Sequence, residues 1–172
     1  MKIVTTPMCE EILKLAGIAD YIVNKNPDEE EGDLAILLSE SKVKMDSMPI
    51  KLNTPSQVFE SIKKVSQLNE NELSDDEVSA FFEDYELAKK YLNSSFKREI
   101  NVKVYSEFLK DIVEDVGFNI VSDNFDHVIY PDYLKNVVKE NENLVEIPSH
   151  GEISKNPLER IEVRYAILEN LI

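Results

Sequence analysis

Apolar positions along this chain follow two rhythms, short β-branched runs and longer stretches with helical spacing, and the alternation occurs twice. Residues 2–5 predict a buried parallel strand. Thr6 and Pro7 then read as the N-cap and first position of a helix, because proline's fixed φ suits that place. Cys9, Ile12, Leu13 and Ala16 fall on one face of that helix, and Gly17 stops it. Residues 19–23 predict a second strand, residues 24–32 an acidic loop, and residues 33–39 a third strand around the core run Leu34–Leu38. A short extended piece over 48–52 precedes a helix capped by Thr54-Pro55-Ser56, with Val58, Phe59, Ile62 and Val65 on its buried face.

Ser74 opens a further helix, read as one long amphipathic element over 74–92 with Val78, Phe81, Phe82, Tyr85, Ala88 and Tyr91 or Leu92 inward. A stripe of that length packs across a sheet or forms an interface with another subunit. The second half then repeats the opening grammar: strand over 100–105, helix Glu107–Val116, Gly117 as stop, strand over 118–122. Segments 127–130 and Leu144–Ile147 add strands, and Asn156-Pro157 begins a C-terminal helix. Alternating β and α elements predict a single α/β domain over 1–172, a largely parallel sheet flanked by helices and built from repeated βα units.

Composition narrows the function. The chain has 172 residues, 42% of them hydrophobic, enough for a substantial core. With 19 basic and 34 acidic residues the net charge is −15, and no basic stripe emerges, so the field opposes extended nucleic-acid binding. The longest apolar run is too short to span a membrane, and the first residues lack a signal-peptide pattern. A lone cysteine gives no disulfide framework and fits a reducing cytoplasm.

That cysteine is the main chemical candidate. Ligands of open α/β sheets bind beyond the carboxyl ends of the strands. Cys9 lies four residues after the first strand and at the third position of the predicted helix, where backbone N–H groups lower a thiol pKa. Against this, Glu10 and Glu11 raise it, and Cys9 shares its face with apolar residues, as a core cysteine does. Both readings stand at this level. His127 and His150 are candidate bases or plain loop residues. One cysteine and two distant histidines offer no metal spacing, and no phosphate-binding glycine loop is present. Ser39-Glu40-Ser41 and Thr54-Pro55-Ser56 can hydrogen-bond a nucleotide or serve only as turn and cap.

The opening MKIVTTPMCEEILKLAGIADYIV, its cysteine at position nine, a methanogen-like Lys/Glu/Ile/Asn bias and the chain length together resemble the HcgF family. Those proteins take part in building the iron-guanylylpyridinol cofactor of Fe-hydrogenase. The resemblance implies an acyl acceptor. A partner similar to a ubiquitin-activating enzyme adenylylates the guanylylpyridinol carboxylate, and Cys9 takes the acyl group, releasing AMP and forming a thioester. It further implies no tightly bound cofactor, with guanylylpyridinol as substrate or product. Backbone N–H groups of Met8, Cys9 and Glu10 become candidates for the oxyanion site. Thr5, Thr6 and the helix starting at Thr54, helped by an arginine, become candidates for a guanylyl phosphate. A homodimer is expected on general grounds. The alternative is a noncovalent nucleotide- or cofactor-binding module with Cys9 in its core.

Overall fold

Two short apolar runs, buried on both faces, organise the molecule. In the computed structural model, which describes every residue except His150 and Glu152, these are β1 (Ile3–Thr5) and β3 (Leu34–Leu38). Continuous apolar character suits a parallel strand covered on both sides. Between them lie α1 (Glu10–Leu15) and β2 (Ile22–Val23), and β4 (Ser47–Ile50) follows. All four strands pair in parallel, in the order β2-β1-β3-β4. The predicted strand over 19–23 shortens to its last two residues, because only Ile22 and Val23 find partners, on Val4 and Thr5.

The second half repeats this topology. β5 (Asn101–Val104), α5 (Glu107–Val116), β6 (Asn119–Ile120), β7 (His127–Pro131) and β8 (Leu144–Ile147) form a sheet of order β6-β5-β7-β8, again all parallel. The protein is thus an α/β domain with two parallel four-stranded sheets, rather than one continuous sheet. Its repeated βα unit is a repeat of whole lobes.

The lobes are joined by α2 (Pro55–Ser66), α3 (Asp75–Ala80), α4 (Glu86–Asn93) and the C-terminal α6 (Pro157–Glu169). α6 packs on α2, α4 and α5, and one hydrophobic cluster runs through both lobes, from Ile3 to Leu168. Thr54 caps α2 as expected, in a full capping box with Gln57. Replacing Thr54 with alanine is expected to cost about 1 kcal/mol of stability in denaturant unfolding, since its buried hydroxyl satisfies a helix-end N–H. A cost near zero would mean water caps α2 equally well.

The long helix over 74–92 does not form. It breaks after Ala80, and the extended backbone of Tyr85 (φ −118°, ψ 95°) restarts it as α4. Tyr85 provides no side-chain cap. Instead the Glu162 carboxylate of α6 accepts from the N–H groups of Leu87 and Ala88 at 2.9 and 3.0 Å, some 75 residues away in sequence. A cap supplied across the fold stabilises a helix start that no neighbouring residue announces. Val78, Phe82, Ala88 and Tyr91 are buried within this chain, so that stripe is not an open subunit surface.

Candidate functional site

Each sheet has its topological switch point between its two central strands, where the chain leaves in opposite directions. In sheets of this kind ligands bind outside the carboxyl ends at that point. The loops after β1 and β3 contribute Met8, Leu38, Ser39 and Glu40 to one cleft. The segments after β5 and β7 contribute Ser106, Glu107, Phe108 and Tyr133 to the same cleft, so the switch points of the two lobes face each other. Lys51, Leu52 and Asn53, Asp111 of α5, and Arg160 and Arg164 of α6 complete it. Its volume is about 480 Å³, in the range of small-ligand sites. A hollow of similar size lies at the opposite, amino-terminal ends of β1 and β3, around Lys2, Asp28 and Lys44, remote from this chemistry.

The segment between β1 and α1 differs from the expected helix start. The Cys9 N–H donates to the Thr6 carbonyl at 3.0 Å, closing a turn with Pro7 as its second residue, and α1 begins only at Glu10. The φ that suits proline to the first turn of a helix suits it equally to the second position of a β-turn. Cys9 therefore sits at the N-cap, and its own N–H, one of the expected oxyanion donors, is already bonded.

Cys9 is fully buried, at 0% exposure. Burial pushes its thiol up from 9.0 to about 11, outweighing hydrogen bonds from the Thr6 side chain and the Leu38 backbone and the field of Arg160; the Glu40 carboxylate raises it further. The expected lowering is thus reversed. A six-residue helix and a bonded N–H give little positive potential against full desolvation. Yet Met8, Leu38, Glu40 and Arg160, which surround the sulfur by sequence or by field, all line the cleft. The thiol lies directly behind the cleft wall.

The other sequence candidates divide. Met8 and Ser39 reach the cleft, and Thr6 serves the thiol. The Thr5 hydroxyl is buried and donates to the Ile36 carbonyl at 2.8 Å within the sheet, and Thr5 is not among the cleft-lining residues. Thr54 is used as the α2 cap. Glu10 turns toward Tyr21 and Lys14, away from the cleft lining. His127 begins β7, at the end of the strand opposite the cleft, so it is no base for Cys9. His150 falls outside the described residues.

Several site residues were not anticipated. Arg160 and Arg164 are 2% and 4% exposed, one helical turn apart on α6. Their signal was present in the sequence, since both share the α6 stripe with Leu158, Ile161, Tyr165 and Leu168, and an arginine within an apolar stripe is a buried charge. Asp111 accepts from Asn53 Nδ2 at 3.2 Å and Gln57 Nε2 at 2.9 Å, tying α5 to the start of α2 across the cleft. Among the described residues no group of three or more histidine, cysteine, aspartate or glutamate side chains can hold a metal ion, and no helix is long and apolar enough to cross a membrane.

The structure defines an α/β protein of paired βα lobes with a cleft at the strand ends, and comparison with known proteins adds little beyond that. No protein-family model matches the chain, and no curated protein does. Among solved structures, a mutant, metal-free form of a periplasmic metal binding protein from Candidatus Liberibacter asiaticus aligns over 99% of both chains, at 8% identity and a TM-score of 0.49. Nothing of that protein's ligand carries over to this one.

Proposed function

We propose that this chain is a cysteine-dependent acyl acceptor in the assembly of the iron-guanylylpyridinol cofactor. The acyl-adenylate of guanylylpyridinol enters the cleft between the lobes, and Cys9 takes its acyl group. The observation that carries this reading is the place of the only thiol, directly behind the cleft wall at the carboxyl ends of β1 and β3. The identity of the substrate rests on the resemblance of the opening segment to the HcgF family. A separate protein similar to a ubiquitin-activating enzyme supplies the adenylate.

The chemistry is modest. Sulfur attacks the acyl carbon, the carbon–sulfur bond forms, and the bond to the phosphate oxygen breaks. AMP leaves with the electron pair, and the thiol proton passes to solvent. So good a leaving group needs no strong general acid, and none is asked of His127 at the far end of β7. A fully buried sulfur must first be uncovered, so loading proceeds from a state in which the Pro7–Met8 turn has moved.

Intact mass after incubation with adenylylated guanylylpyridinol tests the reading. An adduct that mild hydroxylamine removes, and that Cys9→Ala lacks, is expected. A folded Cys9→Ala protein that still forms the adduct would sink it. The zero exposure and raised pKa of Cys9 favour a second reading, a noncovalent binding module with Cys9 as part of its core. That reading predicts ligand retained in the eluted protein without any mass increase.

A further inference from the structure

The two arginines of α6 pose an electrostatic problem that no ion pair among the described residues solves. Arg160 Nη1 donates to the Ser154 and Lys155 carbonyls at 3.3 and 2.8 Å, while its buried Nε has no partner. Arg164 donates through Nε to the Pro148 carbonyl at 2.9 Å and through Nη2 to the Ser149 carbonyl at 2.7 Å, and its guanidinium lies 5.2 Å from the Phe108 ring. Among the described residues neither guanidinium forms an ion pair within 4 Å. Asp132 lies in the field of Arg164 but is tied to the Ser149 hydroxyl and N–H.

Two buried like charges with no ion pair among the described residues are unfavourable, because desolvation and mutual repulsion act together. Carboxylates are not scarce in a chain with 34 of them. Two of only three arginines nevertheless converge on this cleft, next to aromatic Phe108. A guanidinium with an unpartnered Nε fits a planar or tetrahedral oxyanion better than any neutral group.

We infer that Arg160 and Arg164 form a binding site for a single phosphate group of a nucleotide, in which the unpartnered Nε of Arg160 finds an acceptor. Glu40, Glu107 and Asp111 line the same cleft, so the site suits one phosphate and repels a polyphosphate chain. This rests on the proposed function for its choice of a guanosine nucleotide as probe, but the geometry stands without Cys9.

The test is calorimetric titration of the full chain with GMP and with guanosine, alongside thermal melting in inorganic phosphate. GMP is expected to bind at least ~10-fold more tightly than guanosine, a difference expected from charge-assisted hydrogen bonds that only the phosphate can accept. Phosphate is expected to raise the melting temperature. Arg160→Gln should erase both effects. Should Arg160→Gln fail to fold, Arg164→Lys, which keeps the charge but loses the fork, is expected to reduce the GMP preference. Equal affinity for GMP and guanosine in the wild-type chain, or no binding of either with no effect of phosphate, overturns the inference. GMP binding without any acyl adduct defeats the acyl-acceptor reading alone, whereas an adduct that forms despite equal affinities defeats the phosphate site alone.

Discussion

Iodoacetamide is expected to modify Cys9 in the folded chain at least ~100-fold more slowly than in the denatured chain at the same neutral pH. Two causes act in the same direction. Raising the thiol from 9.0 to about 11 leaves a hundredth of the ordinary thiolate near neutrality, and only the thiolate reacts. Zero exposure adds the free energy of an opening step before any reagent arrives. The rate should climb about tenfold per pH unit until pH approaches 11. Linkage gives the matching stability effect. The folded pKa lies above the unfolded one, so the contribution of the neutral thiol is fully present below about pH 9 and disappears as pH rises through about 11. Its size is on the order of 2–3 kcal/mol. Cys9→Ser should flatten that part of the pH profile. Rapid alkylation of the native chain at neutral pH would mean that the thiol is open to the cleft and already ionised, contrary to its surroundings here.

The second large effect concerns Gly117, the residue that ends α5. Its φ is +96°, and a Cβ placed there would stand 2.5 Å from the Phe96 carbonyl oxygen and 2.7 Å from the carbonyl carbon. Both neighbours are backbone, so neither can turn aside like the tip of a side chain. Gly117→Ala therefore combines left-handed strain with a clash against a fixed chain, and is expected to cost about 3 kcal/mol or more. In a protein of this size that lowers the melting temperature by on the order of 10 °C. Gly151, with nothing within 4 Å of its would-be Cβ, is the control, and Gly151→Ala should be nearly neutral. A loss below about 1 kcal/mol at Gly117 would show that the backbone segment at Phe96 yields easily. Because α5 carries Phe108 and Asp111, the same change should loosen the cleft wall they form.

Much of this architecture was legible from residue order alone, and the reason is locality. Continuous apolar runs declare buried parallel strands, as at Leu34–Leu38. The Thr54 and Ser74 capping boxes declare helix starts, since donor and acceptor lie three residues apart. The repeat of strand, helix, glycine and strand declared the repeated βα unit, although its division into two sheets of identical order, rather than one sheet, appeared only in the fold. What failed was either non-local or locally ambiguous. The segment 74–92 reads as one helix, but the cap that restarts it after Ala80 comes from Glu162 on another element. Thr6-Pro7 reads as a helix start, but proline's φ serves a β-turn as well, and a hydrogen bond back to Thr6 selected the turn.

The candidate site divides along the same line. The sequence by itself determined that any thiol chemistry must lie at position nine, after the first strand, because no other cysteine exists and strand ends are where α/β sheets bind ligands. Only the tertiary structure decided the state of that thiol and the company it keeps. A pKa depends on desolvation and on charges brought from distant segments, here Arg160 and Glu40, and neither quantity is written in local order. The pairing of two buried arginines at the cleft is likewise a property of how α6 packs across both lobes, and it becomes visible only when the lobes face each other.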